Sequence, residues 1–287
     1  MNFAKRIACT VLTGLVLGTT TYAADYEELN DPWRVYVGIF NATANSEIQI
    51  TGDVLPPGPP IDVEDVLGID DSKLVGWAGV SWHFARRHSV EFEVFTLRRE
   101  AGISETFTPP LQIGDTFIES GGISTTYDTD VARLTYGFSI IRSDRSDFQL
   151  KAGLHFASLK ADLNLTGALC DPTTVPSTPP GCPTDGVGTE NEDVSAPLPH
   201  FGLSYAYAIN EDWAINLAGM GFAIELDDID GSLIELDADV AWQPWRNVGF
   251  GLGLRFFRAD VESGGAELNG SFTFDYFGPT LYVQATF

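Results

Sequence analysis

The sequence predicts an all-β fold, a transmembrane antiparallel up-and-down β-barrel of about ten strands, and three observations predict it. Most of the chain alternates apolar and polar residues with period two, as a strand does when one face meets an apolar phase and the other a polar one. After the first residues, no apolar run reaches the roughly 18 residues of a membrane-crossing helix. Yet 44% of the chain is hydrophobic, with 29 glycines. Connections between the alternating stretches switch between short turns and long polar segments, as in barrels with turns on one side of a membrane and loops on the other.

Residues 1–23 read as a signal peptide. Lys5 and Arg6 form the basic region, Ile7 to Leu17 the apolar core and Thr21-Tyr22-Ala23 the cleavage site. The apolar run is too short for an anchor, and Cys9 lacks the Leu-rich box of a lipoprotein. Residues 24–287 are then one barrel domain. Losing Lys5 and Arg6 leaves 14 basic against 40 acidic residues and moves the formal charge from -24 to -26. Nucleic acid is excluded as a partner, because phosphate binding needs clustered Lys and Arg.

After an acidic lead, the first strand sets Val35, Val37 and Ile39 against Arg34, Tyr36 and Gly38. Residues 51–71, with Pro56-Pro57-Gly58-Pro59-Pro60, are a long loop. The second strand opposes Val80, Trp82 and Phe84 to Gly79, Ser81 and His83, and Arg86-Arg87-His88 turns it into the third, with Val90, Phe92 and Val94 against Glu91 and Glu93. A second long loop spans 104–122. The fourth strand carries Ala132 to Ile140 on its apolar row and Arg133 opposite; the fifth pairs Phe148 to Phe156 with Gln149, Lys151, Gly153 and His155.

The third long loop, 164–193, holds Cys170 and Cys182. In an oxidising compartment these predict a disulfide. The sixth strand turns Phe201 to Ile209 outward. The seventh, from Trp213, is blurred by Gly219, Met220 and Gly221, which allows a bulge. The eighth opposes Ile234 to Trp242 to Glu235, Asp237 and Asp239, and the ninth Val248 to Phe256 to Gly249, Gly251, Gly253 and Arg255. The last, FGPTLYVQATF, sends Phe277, Pro279, Leu281, Val283, Ala285 and Phe287 to one face, with Gly278-Pro279 expected near its outer end. Eight strands result if the seventh and eighth are loop, twelve if the third loop hides a hairpin. A secreted β-sandwich would alternate too, but the aromatic residues beside the short turns, Trp82, Phe148, Tyr207, Trp213 and Trp242, form the girdle of a membrane interface.

The final segment resembles the C-terminal strand of bacterial outer-membrane barrels, which ends in Phe. This implies that Phe287 carries the signal read by the barrel assembly machinery. DDSKLVGWAGVSWHFARRHSVEF and QPWRNVGFGLGLRF resemble a proteobacterial outer-membrane family to which no role is attached. From Trp33 to Phe287 the chain is similar to small Gram-negative outer-membrane barrels of OmpW or omptin size. The resemblance implies a monomer in the bacterial outer membrane, in contact with its lipid and lipopolysaccharide.

The inward rows collect Arg34, Glu91, Glu93, Arg133, Lys151, Glu235, Asp237, Asp239 and Arg255. In so narrow a barrel they read first as a pairing network that fills the lumen, and second as the lining of a narrow channel for small or hydrophobic molecules. Omptin proteases use paired aspartates and an Asp-x-His element at the outer rim. Asp70-Asp71, Asp128 with Asp130, and Asp227-Asp228 offer carboxylates, but no D-x-H occurs, and His200 follows Leu198-Pro199. A catalytic site is therefore not expected, nor is any cofactor. Asp70, Asp71, Asp227, Asp228 and Asp230 are weak calcium candidates, in acidic loops that otherwise read as solvated, because the fixed calcium-loop spacing is missing. The role expected is structural, surface-interacting or narrow-channel.

Overall fold

Alternation of this kind leaves each strand two unlike faces and two hydrogen-bonding edges, and in a membrane every edge must be paired. The computed structural model meets that demand by closing the sheet. It describes residues 31–50, 60–62, 64, 72–113, 116–170, 186–226, 229–264 and 269–287. The strands are β1 (Trp33–Ile50), β2 (Ile61–Asp62), β3 (Ser72–Ala85), β4 (His88–Ile113), β5 (Thr116–Arg142), β6 (Ser146–Cys170), β7 (Gly186–Ala208), β8 (Trp213–Leu226), β9 (Ile229–Trp245), β10 (Val248–Gly264) and β11 (Asn269–Thr286). Ten form the wall, antiparallel throughout, and β11 pairs with β1 from Arg34↔Thr286 to Ile50↔Gly270. The two-residue β2 adds only the pairs Glu47↔Asp62 and Ile48↔Ile61 beyond the end of β3. The even count of ten agrees with the alternation.

The faces sort as the sequence reading has them. Val35, Val37, Phe92, Leu134, Leu150, Leu203, Leu236, Leu252 and Val283 are exposed on the outside, while Tyr36, Glu93, Arg133, Glu235, Arg255 and Gln284 are buried within. At the turn end the outer belt finishes in aromatic rings, with Trp33 stacked on Trp82 at 5.2 Å and Trp213 on Trp242 at 5.8 Å. Toward the other end the outward row becomes polar at Asn41, Ser72, Thr96, Asp130, Ser158, Glu225, Ser232, Arg258 and Asp275. An apolar belt bounded in this way is the outer surface of a membrane-spanning barrel.

Three details differ from the alternation reading. The segments read as loops at 104–122 and 164–193 carry strand pairing through much of their length, with β4 and β5 joined to Ile113↔Thr116 and β6 and β7 to Gly167↔Gly186. From the belt edge at Thr96 to Ile113, β4 alone covers roughly 55 Å at about 3.3 Å per residue. A four-strand crest thus stands on one side of the wall. The bulge allowed near Gly219 is absent: β8 keeps register with β7 and β9, and inward-facing Met220 is buried.

Pro279 also lies away from the rim. It sits within β11, where its missing donor coincides with a lapse in the closing ladder between Phe40↔Thr280 and Thr43↔Phe277, the register being the same on both sides. Residues 1–23, the stretch 51–59 of the first loop, and Cys182 lie outside the described residues, so the Cys170–Cys182 bridge does too.

Candidate functional site

Among the described residues the lumen gathers most of the buried charged side chains, and glycines decide how it is filled. Tyr36 lies across Gly79, its register partner on β3, and Tyr282 across Gly251, its partner on β10. A Cβ at either glycine would overlap the tyrosine ring. The rings therefore reach inward over bare backbone and present their hydroxyls to carboxylates. Tyr282 donates to Asp239 at 2.7 Å, and Tyr36 to Glu91 at 2.9 Å, with Glu93 at 3.3 Å. Gly251→Ala is expected to displace Tyr282 and destabilise the barrel by about 1–3 kcal/mol, as overpacking does. Urea unfolding checks this, and the cost should shrink in a Tyr282→Ala background.

Around these tyrosines the structure brings the charged residues together. Arg133 reaches Glu235 at 2.5 Å, Glu93 at 3.3 Å and Glu91 at 3.7 Å. Arg255 contacts Glu93 at 3.1 Å and Asp237 at 2.7 Å, with its guanidinium 4.6 Å from the Trp77 ring centre. Lys151 meets Glu91 at 2.8 Å. Asp239 also accepts from Asn216 at 3.0 Å. Arg34 donates to Gln284 at 2.9 Å and lies over the Tyr36 ring at 5.0 Å. All nine residues expected on the inward rows are there, drawn from strands on opposite sides of the barrel.

Sequence reasoning missed two layers farther from the turn end. His155 sits 3.2 Å from Glu235 and packs edge-on against His200, and the His200 ring is 3.1 Å from the Thr135 hydroxyl. His200 is fully buried beside Gly153, in the middle of the belt. It is not at the outer rim, because β7 continues outward to Gly186.

Above the histidines lies an aromatic layer of Phe40, Phe95, Phe257, Phe274 and Tyr276. The doublets Phe256-Phe257 and Tyr276-Phe277 could have revealed it, since one member of each must face inward. Over Phe274, Arg99 pairs with Glu64 and donates to Ser46 at 2.8 Å; Glu64 in turn accepts from Ser46 N at 2.7 Å. An acid that looked like part of a solvated loop is thus buried in the barrel mouth.

Two cavities flank the charge layer. One of 160 Å³, on the turn side, is lined by Arg34, Ser81, Glu91, Lys151, Asn216, Asp239 and Tyr282 among others. The other, of 30 Å³, lies toward the aromatic layer. Glu93 and Arg133 line both and stand between them.

Closed wall, apolar outside and packed polar interior are all features of one fold. It is that of an outer-membrane barrel. The chain is similar to the outer membrane protease OmpT from Escherichia coli, at 9% identity over 90% of this chain and 97% of that one, with a TM-score of 0.55. It also matches Ail, the attachment invasion locus protein of Yersinia pestis, at 9% identity over 88% and 98% of the two chains, with a TM-score of 0.31. The toluene transporter TodX of Pseudomonas putida matches at 9% identity over 90% of each chain, with a TM-score of 0.38. No family model and no curated protein matches. The fold agrees with the outer-membrane localisation read from the sequence.

The remaining expected sites are scattered. Asp128 accepts from Arg98 at 2.6 and 2.7 Å, and Asp130 from Thr96 at 2.7 Å, so both spend their oxygens on the outer face of the wall. Asp70, Asp71, Asp227 and Asp228 lie outside the described residues. Asp230 is exposed opposite Glu225 and Glu262, and among the described residues no three His, Cys, Asp or Glu converge closely enough to hold a metal. Beyond the belt Arg258 donates to Asp260 at 2.9 and 2.8 Å, holding that carboxyl below its usual range.

Proposed function

We propose that the chain is a surface-interaction protein of the bacterial outer membrane, a closed barrel that displays the β4–β7 crest outside the cell. The observation that carries this is the interior layer: Arg255 grips Glu93 and Arg133 grips Glu235 across the lumen, Arg133 also holds Glu93, its register partner on the adjacent strand, and cavities lie to either side. A buried pair broken to let solute past costs about 3–5 kcal/mol, so the layer acts as a plug. The crest supports the second half of the reading. Neither 101–130 nor 161–195 contains a Lys or Arg, and together they hold eleven acidic residues. Such a surface suits a cationic partner, or lipopolysaccharide bridged by calcium. Insertion of Phe287 through the assembly machinery and a monomeric state belong to the same reading.

Purified protein in planar bilayers should show no conductance steps, and vesicles carrying it should not swell in small sugars. Steady conductance from the unaltered chain would establish the narrow channel instead. A rim protease is the weaker alternative, because His200 and the Asp128 and Asp130 carboxylates are directed to different places.

A further inference from the structure

Among the described residues the wall opens on each flank of the crest: β3 and β4 are unpaired beyond Trp77↔Phe95, and β7 and β8 part in the same way, leaving a notch between them. β7 pairs with β8 only from Ala208↔Ala214 to Phe201↔Gly221, whereas its ladder to β6 runs on to Gly186 and that of β8 to β9 runs on to Leu226↔Ile229. Among the described residues no backbone pair joins β7 and β8 beyond Phe201. The cause is legible. Pro197 and Pro199 are two residues apart, so their missing donors fall on the same edge of the strand. The β6 ladder crosses both, at Phe156↔Pro197 and Leu154↔Pro199, without a shift. The edge without donors is therefore the one toward β8.

The notch cuts into the apolar belt. Its outward neighbours are Phe201, which is 65% exposed, with Pro197 and Ala223, and the β8 row turns polar at Glu225. On the inner side, partly buried Leu198 borders the 30 Å³ pocket, which Leu233, the partner of Phe222, closes together with Phe95, Val131, Phe257 and Tyr276. That volume is small, and Glu93, Arg133, His155 and Glu235 border it on the side of the charge layer. It has room for the methyl end of a chain and little more.

We propose that this notch is a lipid-binding site, in which the end of an acyl chain from the surrounding leaflet enters between β7 and β8 and caps the pocket at Leu198 and Leu233. A lipid chain is the occupant because the notch is continuous with the lipid-facing belt, the side chains on its lips (Pro197, Phe201 and Ala223) are apolar, and Pro197 and Pro199 present no amide donors there. The inference goes beyond the plugged, surface-acting reading and needs only that the belt is embedded in lipid.

The test uses the full chain in vesicles containing a phospholipid with a diazirine at the end of one acyl chain, read by mass spectrometry after illumination. Label is expected at Leu198 and Leu233 as well as at the outward Phe201 and Leu203. Sealing the notch by oxidising Pro199→Cys/Ala223→Cys should lower the interior label at least about five-fold, with recovery on reduction and no change at Leu203. Leu198→Trp, which fills the pocket and leaves the wall alone, should give the same loss. Absence of interior label, or label unchanged in both variants, overturns the proposal. Interior labelling by a free aryl diazirine but not by the lipid also overturns it, in favour of a small apolar solute. Label at Phe201 and Leu203 reports embedding separately, so failure of the notch and failure of the membrane assignment are distinguishable.

Discussion

Glu93→Ala should destabilise the barrel by about 3–5 kcal/mol, the usual cost of removing one partner from a buried ion pair. Glu93 is 3% exposed and is shared by Arg133 at 3.3 Å, Arg255 at 3.1 Å and the Tyr36 hydroxyl at 3.3 Å. Its loss leaves two guanidiniums facing each other across a lumen that water enters poorly. Removing Arg133 as well relieves that repulsion, so Glu93→Ala/Arg133→Ala should lose clearly less than the two single variants combined. Glu93→Gln keeps the volume and an acceptor for Tyr36 but drops the charge, and should fall between the unaltered chain and Glu93→Ala. Urea unfolding followed by tryptophan fluorescence reads these variants against the unaltered chain. A loss below about 1 kcal/mol for Glu93→Ala would mean that water or a shifted carboxylate compensates, and the layer would then not be a rigid plug. The same variant, placed in a planar bilayer, should be the first to show conductance.

What could be read from the sequence follows from where the two solvents lie. Inside the belt each strand has lipid on one side and packed polar groups on the other. Val35-Tyr36-Val37 or Leu252-Gly253-Leu254 therefore announce their faces, and the nine lumenal charges can be placed by parity alone. Beyond the belt neither face meets lipid. Thr125-Thr126 and Glu190-Asn191-Glu192 lose the alternation while the backbone pairing that makes them strands continues, and pairing leaves no trace in side-chain type. The aromatic layer escaped for a different reason. Phe257, Phe274 and Tyr276 face inward above the charges, where the lumen is filled by packing and the rule of polar residues inside no longer holds. Glu64 could not be found by pattern, since its burial depends on Arg99 and Ser46, which come from two other strands.

Gly278→Val is expected to prevent the barrel from closing. The position is inward and buried on β11, opposite the lapse in pairing that Pro279 leaves against β1. A Cβ there would overlap the Asn41 carbonyl oxygen and carbon, and it would sit 3.3 Å from the Ala42 Cα. These are backbone atoms of the neighbouring strand. They cannot rotate away as the Tyr282 ring can from Gly251, so relief requires β1 and β11 to separate. That seam alone joins the two ends of the chain, and an open edge in hydrocarbon leaves unpaired backbone groups at several kcal/mol each. The cost should therefore exceed the roughly 1–3 kcal/mol of ordinary overpacking. Gly76 supplies the control. It faces outward on β3 with nothing within 4 Å of a built Cβ. Refolded into vesicles and run unheated on a denaturing gel, Gly76→Val should migrate as the compact barrel and Gly278→Val as unfolded chain. Equal compact fractions for the two would show that the seam yields to a side chain, and that Gly278 does not set the approach of β11 to β1.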